Sequence, residues 1–123
     1  IMSITSLDAL PFPDREIWNK WILKNNTTRH KISLGRGCKY NCIYCSNMML
    51  SRVSNNEYIK HRSVDSILDE IKYIVRKYPQ VQSIYFDDEN VLCDKNFFKQ
   101  LCIELKKINV KKFSCSISYL GGT

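Results

Sequence analysis

From Val64 to Tyr78 the apolar residues Val64, Ile67, Leu68, Ile71, Ile74, Val75 and Tyr78 recur at the spacing of one helix face. Ser63 suits the N-cap, Asp65, Asp69 and Glu70 lie in the N-terminal half, and Arg76 and Lys77 lie in the last turn. Pro79 stops the helix. A helix with one apolar stripe needs a surface to cover, and short apolar runs flank it. Lys31 to Arg36 (KISLGR) reads as a strand with Gly35 and Gly37 loosening its end, and Val81 to Phe86 (VQSIYF) as another. Asp94 can cap a second helix, Lys95 to about Ile108, with Phe97, Phe98, Leu101, Cys102, Leu105 and Ile108 on its stripe. Lys112 to Ser118 then alternates strictly, with Phe113, Cys115 and Ile117 on one face and three serines on the other. Strand, helix, strand, helix, strand predicts βαβ crossovers and a parallel sheet in an α/β fold.

The chain has 123 residues, 44% of them hydrophobic and 25% charged, an ordinary balance for a globular protein. It carries no run of roughly 20 apolar residues that could span a bilayer, and its first residues show no signal-peptide pattern. Three strands and two helices in residues 31–123 read as the opening portion of a larger α/β domain, a fragment of a longer protein. Residues 1–30 read as a strap, proline-rich from Leu7 to Pro13, followed by a short helix from Asp14. Ile17, Trp18, Trp21 and Ile22 give that helix an apolar face, with the tryptophans as packing anchors. From Ser46 to Lys60 the chain reads as polar and irregular.

Six cysteines in a short chain can signal a disulfide framework. With this apolar content and no secretion signal, disulfides are not needed to replace a core, and a reduced, cytoplasmic protein is expected. The cysteines are also unevenly placed: Cys38, Cys42 and Cys45 lie within eight residues, whereas Cys93, Cys102 and Cys115 are dispersed. The clustered three form a C-x3-C-x2-C run, which needs a loop to converge on a metal. Iron–sulfur clusters ordinarily take four cysteines, so a three-cysteine loop leaves one iron open to substrate or cofactor. The rival is a zinc site completed by His30, His61 or Cys93.

The loop follows the first strand directly, and Asp87-Asp88-Glu89 follows the second. In a parallel β/α arrangement both leave the C-terminal edge of the sheet, where such folds build active sites. Three adjacent carboxylates repel one another, and a ligand bearing positive charge would relieve them. A solvated turn is the plainer reading, although Asp94 already serves as the cap.

Gly35-Arg36-Gly37-Cys38 through Cys45-Ser46 resembles the signature loop of radical S-adenosylmethionine (radical SAM) enzymes. For the fold this implies a partial (β/α) barrel, with residues 31–123 as its N-terminal portion, since a complete barrel needs roughly 200 residues or more. The resemblance implies that Cys38, Cys42 and Cys45 hold a [4Fe–4S] cluster whose fourth iron chelates the methionine end of SAM. Reductive cleavage of SAM then yields a 5′-deoxyadenosyl radical that abstracts hydrogen from a substrate. It further implies that Tyr44 packs near the adenine and that Asp87, Asp88 and Glu89 stand in place of the family's Gly-Gly-Glu motif, which contacts the amino group of SAM. An electron donor such as a flavodoxin or ferredoxin is implied as partner. The acidic version of that motif after Phe86, the Leu10–Asp14 strap and the Tyr58–Ser63 segment are similar to the subgroup often fused to a cobalamin-binding domain, and so imply cobalamin in the full-length protein. Val91 departs from that subgroup, which often has an aromatic there.

The net charge of +7 suits nucleic acid or an anionic ligand, but the basic residues are scattered. The competing function is a small basic zinc module that contacts nucleic acid. His30 and His61 read as lone surface residues, and Cys102 as core.

Overall fold

The apolar stripe and its cap act as the sequence predicts. In the computed structural model, which describes residues 5–18, 20–21, 29–40, 42–54, 58–88, 94–108 and 110–115, Ser63 accepts from the Ser66 amide at 3.1 Å and opens the long helix. The described elements, in chain order, are a 3-10 turn at Leu7–Ala9, β1 (Arg29–Ile32), β2 (Gly35–Arg36), α1 (Ser46–Val53), β3 (Lys60–His61), α2 (Val64–Lys77), β4 (Ser83–Phe86), α3 (Lys95–Leu105) and β5 (Lys112–Cys115). Asp94 caps α3 by accepting from the Asn96 and Phe97 amides, each at 3.0 Å.

Strands β1, β4 and β5 form a parallel sheet in that order, as expected of two successive βαβ units. Arg29 pairs with Ser83 and Ser83 with Lys112, while Ile32 pairs with Phe86 and Phe86 with Cys115. The period-two alternation of a strand then sorts the residues by face. His30, Ile32, Ile84 and Phe86 are buried together with Ile67, Ile71 and Ile74 of α2 and Leu101 and Leu105 of α3. On the opposite face stand Arg29, Lys31, Ser83, Tyr85, Lys112 and Ser114, with the Arg29 guanidinium 4.1 Å from the centre of the Tyr85 ring. An α/β fold of this kind is consistent with the first strands and helices of a (β/α) barrel.

The N-terminal strap is tied to the fold by polar contacts. Both Asp8 carboxylate oxygens accept from the Ser63 amide, at 3.0 and 3.2 Å. Arg15 donates to the Lys31 carbonyl at 3.0 Å and to Glu70 at 2.6 Å.

Several expectations are corrected. The strand expected over Lys31–Arg36 breaks after Ile32, and Gly35–Arg36 instead pairs antiparallel with Lys60–His61 as a separate ribbon. The stretch after Ser46 is not irregular: Ser46–Val53 is helical, with Asn47 buried at its first turn. Helix α3 ends at Leu105, because Lys107 and Ile108 donate three residues back, to Glu104 and Leu105, and tighten the last turn. Trp18 and Trp21 are 61% and 62% exposed and anchor no core among the described residues; the turn that carries them is fastened by Arg15 instead. His30 is buried, not at the surface, and stacks on Tyr78 with ring centres 4.9 Å apart. Residues 116–118, expected in the last strand, and Ile22 lie outside the described residues. Among the described residues no helix is long and apolar enough to cross a membrane.

Candidate metal centre and cofactor edge

Because Ile32 pairs with Phe86, the chain leaves β1 and β4 at the same level of the sheet. The segment leading to the cysteines and the acidic run therefore start side by side at the C-terminal edge. The Asp87 amide extends the pairing by donating to the Ile32 carbonyl at 3.0 Å. The Asp87 side chain pairs with Lys31 at 2.8 Å, both groups at least half exposed.

The next residue turns inward. Asp88 Oδ2 accepts from the Leu34 amide at 2.7 Å, and Oδ1 accepts from the Gly35 amide at 2.9 Å. The Ser33 hydroxyl lies 3.2 Å from the same Oδ1 and 3.1 Å from the Gly35 carbonyl, so its single proton is shared. Burial pushes the Asp88 carboxyl above its ordinary range, against the pull of those bonds and of nearby Arg36.

The two glycines close the other side of this stem. A β-carbon on Gly35 would stand 2.6 Å from the Lys60 carbonyl oxygen and 2.9 Å from His61 Nδ1. Gly37 has φ of 87° and equally little room, 2.8 Å from the Tyr58 carbonyl oxygen. They do not loosen a strand end, as expected, but let the stem pack against the Tyr58–His61 backbone.

Beyond the stem come the thiols. Cys38, Cys42 and Cys45 are all half-buried and free of disulfides. The Cys45 amide donates to the Cys42 carbonyl at 3.0 Å, forming a turn that exposes Ile43 and Tyr44, and Cys45 then caps α1 without a side-chain bond. The charge of the neighbouring Cys42 thiolate pushes the Tyr44 phenol above its ordinary value. Asn41, inside the loop, lies outside the described residues, as does Glu89.

Among the described residues no three His, Cys, Asp or Glu side chains stand close enough together to hold a metal as they are. The donors still match an iron–sulfur cluster in kind: three free thiols on one loop whose approach is fixed. Between stem and acidic run lies a small polar cleft of about 90 Å³ lined by Ser33, Gly35, Arg36, Gly37, Asp87 and Asp88. Arg36, flanked by Gly35 and Gly37, lines this cleft, and the two glycines beside it are the feature of the sequence that marks the place. Cys102 sits on α3, away from this edge, and the side chains of Cys93 and Cys115 are not among those described.

A family model described as the Radical SAM superfamily matches residues 32–122. The chain is also 30% identical over 113 residues to a tRNA-2-methylthio-N(6)-dimethylallyladenosine synthase of Aquifex aeolicus (strain VF5), covering 87% of this chain and 24% of that protein. It thus spans about a quarter of the length of the curated relative it matches. No solved structure matches the chain.

Proposed function

Since the chain belongs to the Radical SAM superfamily, we propose that it carries the cofactor-binding part of a radical SAM enzyme, with Cys38, Cys42 and Cys45 as ligands of a [4Fe–4S] cluster. The observation that carries this reading is the shared sheet edge: the segment that leads to the three-cysteine loop and the acidic run leave the paired strands β1 and β4 at the same level. Bound there, cluster and S-adenosylmethionine would supply a 5′-deoxyadenosyl radical for substrate modification. The protein's own part is to hold and orient. The cysteines would offer three thiolates, Tyr44 of the same loop would pack near the adenine, and the acidic run after β4 would meet the amino group of SAM through Asp87 and Glu89, with Asp88 turned to the stem instead. A flavodoxin- or ferredoxin-like donor supplies the electron, in the cytoplasm, where thiols stay reduced. The family match and the relative give no support to a cobalamin partner, and the proposed reaction does not need one.

Anaerobic reconstitution with iron and sulfide tests the reading. A brown protein whose EPR signal changes when SAM is added is the expected result. A colourless chain that takes up one zinc ion would overturn it in favour of a zinc module.

A nucleic-acid substrate is a second reading, favoured by the exposed sheet face on which Arg29, Lys31 and Lys112 stand around Tyr85. The matched relative is named for a tRNA nucleoside. Salt-sensitive RNA binding that weakens in Arg29→Ala supports it, and binding indifferent to both salt and that substitution removes it.

A further inference from the structure

We infer that Asp88 is a positioning residue, one that sets the path of the cysteine loop through its backbone and does not act by touching the cofactor. The inference rests on the proposed function for what the loop binds, but the contacts themselves are independent of it. After Ile32 the chain leaves the parallel ladder, and the Leu34 and Gly35 amides lose their strand partners. Leu34 is 2% exposed, so an unpaired amide there would be costly. Asp88 supplies acceptors to both amides and to the Ser33 hydroxyl. The Leu34 carbonyl is satisfied in turn by the Arg62 amide at 2.8 Å. Leu34 is therefore held from both sides, and three residues past Gly35 the chain reaches Cys38.

A carboxylate offers about four acceptor positions, and three are engaged here. Asp87 and Asp88 are thus distinct in kind. Asp87 points to solvent and Lys31, whereas Asp88 ties the acidic run to the stem of the cysteine loop. The tie couples the two halves of the site, since any shift of the run after β4 drags the Leu34–Gly35 backbone with it. The Gly-Gly-Glu form of the motif has no side chain at the matching place and cannot make it.

Hydrogen exchange on the cluster-free chain, with iron uptake as a second readout, tests the inference in Asp88→Asn. The amide nitrogen of Asn would confront one of the two backbone donors. The Leu34 and Gly35 amides are expected to exchange about tenfold faster or more, with Ile71 and Ile84 unchanged. Reconstituted iron should fall several-fold before any SAM is added, and Asp88→Glu, which keeps two acceptor oxygens, should recover part of both. Ser33→Ala removes one contact only and should give a smaller, equally local rise. Unchanged exchange at Leu34 and Gly35 overturns the inference. So does full iron with loss of the SAM-dependent EPR change alone, which would make Asp88 a cofactor contact. Loss of protection throughout the core also overturns it, since the residue would then serve general stability. If the unsubstituted chain assembles no cluster, the proposed function fails while the exchange result still decides the role of Asp88.

Discussion

Arg15 in the N-terminal strap donates to Glu70 of α2 at 2.6 Å, across 55 residues of sequence. Glu70 is 1% exposed, and its second oxygen accepts from Arg62. Arg62 also donates to the Ser33 and Ser66 carbonyls, at 3.2 and 3.1 Å. One buried carboxylate thus joins the strap, the end of β1, the exit of β3 and the middle of α2. Its worth lies in satisfying every partner, because a buried charge left alone is far costlier than a paired one is favourable.

Glu70→Ala leaves two guanidinium groups without their carboxylate. The expected loss is about 3–5 kcal/mol, measured by urea denaturation of the purified chain. Arg15→Met, which removes one cation and keeps its length, should cost less, since Arg62 still holds Glu70. Equal losses in the two variants would contradict this arrangement.

Gly35→Ala forces a methyl group against the Lys60 carbonyl, which is backbone and cannot swing away, and against the His61 ring. A cost of about 1–3 kcal/mol is expected, together with weaker cluster retention, because the strain falls on the stem of the cysteine loop. Gly37→Ala adds a positive φ to a similar clash and should be no milder. Thermal unfolding and iron analysis of both variants check this.

His30 has a pKa held below its ordinary 6.5, first by burial and then by the nearby Arg15 charge. Its Nε2 and the Tyr78 hydroxyl are buried without a partner among the described residues. The unfolded chain binds the proton more readily than the native one, so the histidine contributes stability above about pH 6.5 that is lost as pH falls through its native pKa. His30→Phe should flatten the pH dependence of stability between about pH 7 and 5. A variant with the same acid sensitivity as the parent would show that other groups govern it.

Cys38→Ala should abolish cluster assembly, while Cys102→Ala should leave iron content unchanged, as Cys102 lies on α3 apart from the sheet edge. The losses are read as iron and sulfide per chain. Iron loss in Cys102→Ala would mean that the cysteine loop is not the whole ligand set.

The long helix was legible because its stripe is purely local: Ile67, Ile71 and Ile74 read as buried from spacing alone, and all three are fully buried. The same holds for the caps at Ser63 and Asp94, which act within three residues of themselves. The parallel sheet followed from the order of these elements, and the cysteine run from its spacing. The first strand reads too long in the sequence because Ile32 and Leu34 alternate as a strand should, yet the buried Leu34 bonds through its backbone to Asp88 and Arg62 and not to the parallel ladder. The tryptophans misled for the opposite reason, since helical spacing describes a face and not what covers it. Residue chemistry and periodicity determined the elements, their order and the thiol donors of this protein. The pairing of Asp88 with Leu34 and Gly35, and of Glu70 with two arginines, was decided only by the tertiary structure. A polar side chain's local sequence sets its capacity to bond, but its partner is whichever buried group the folded chain leaves unsatisfied beside it.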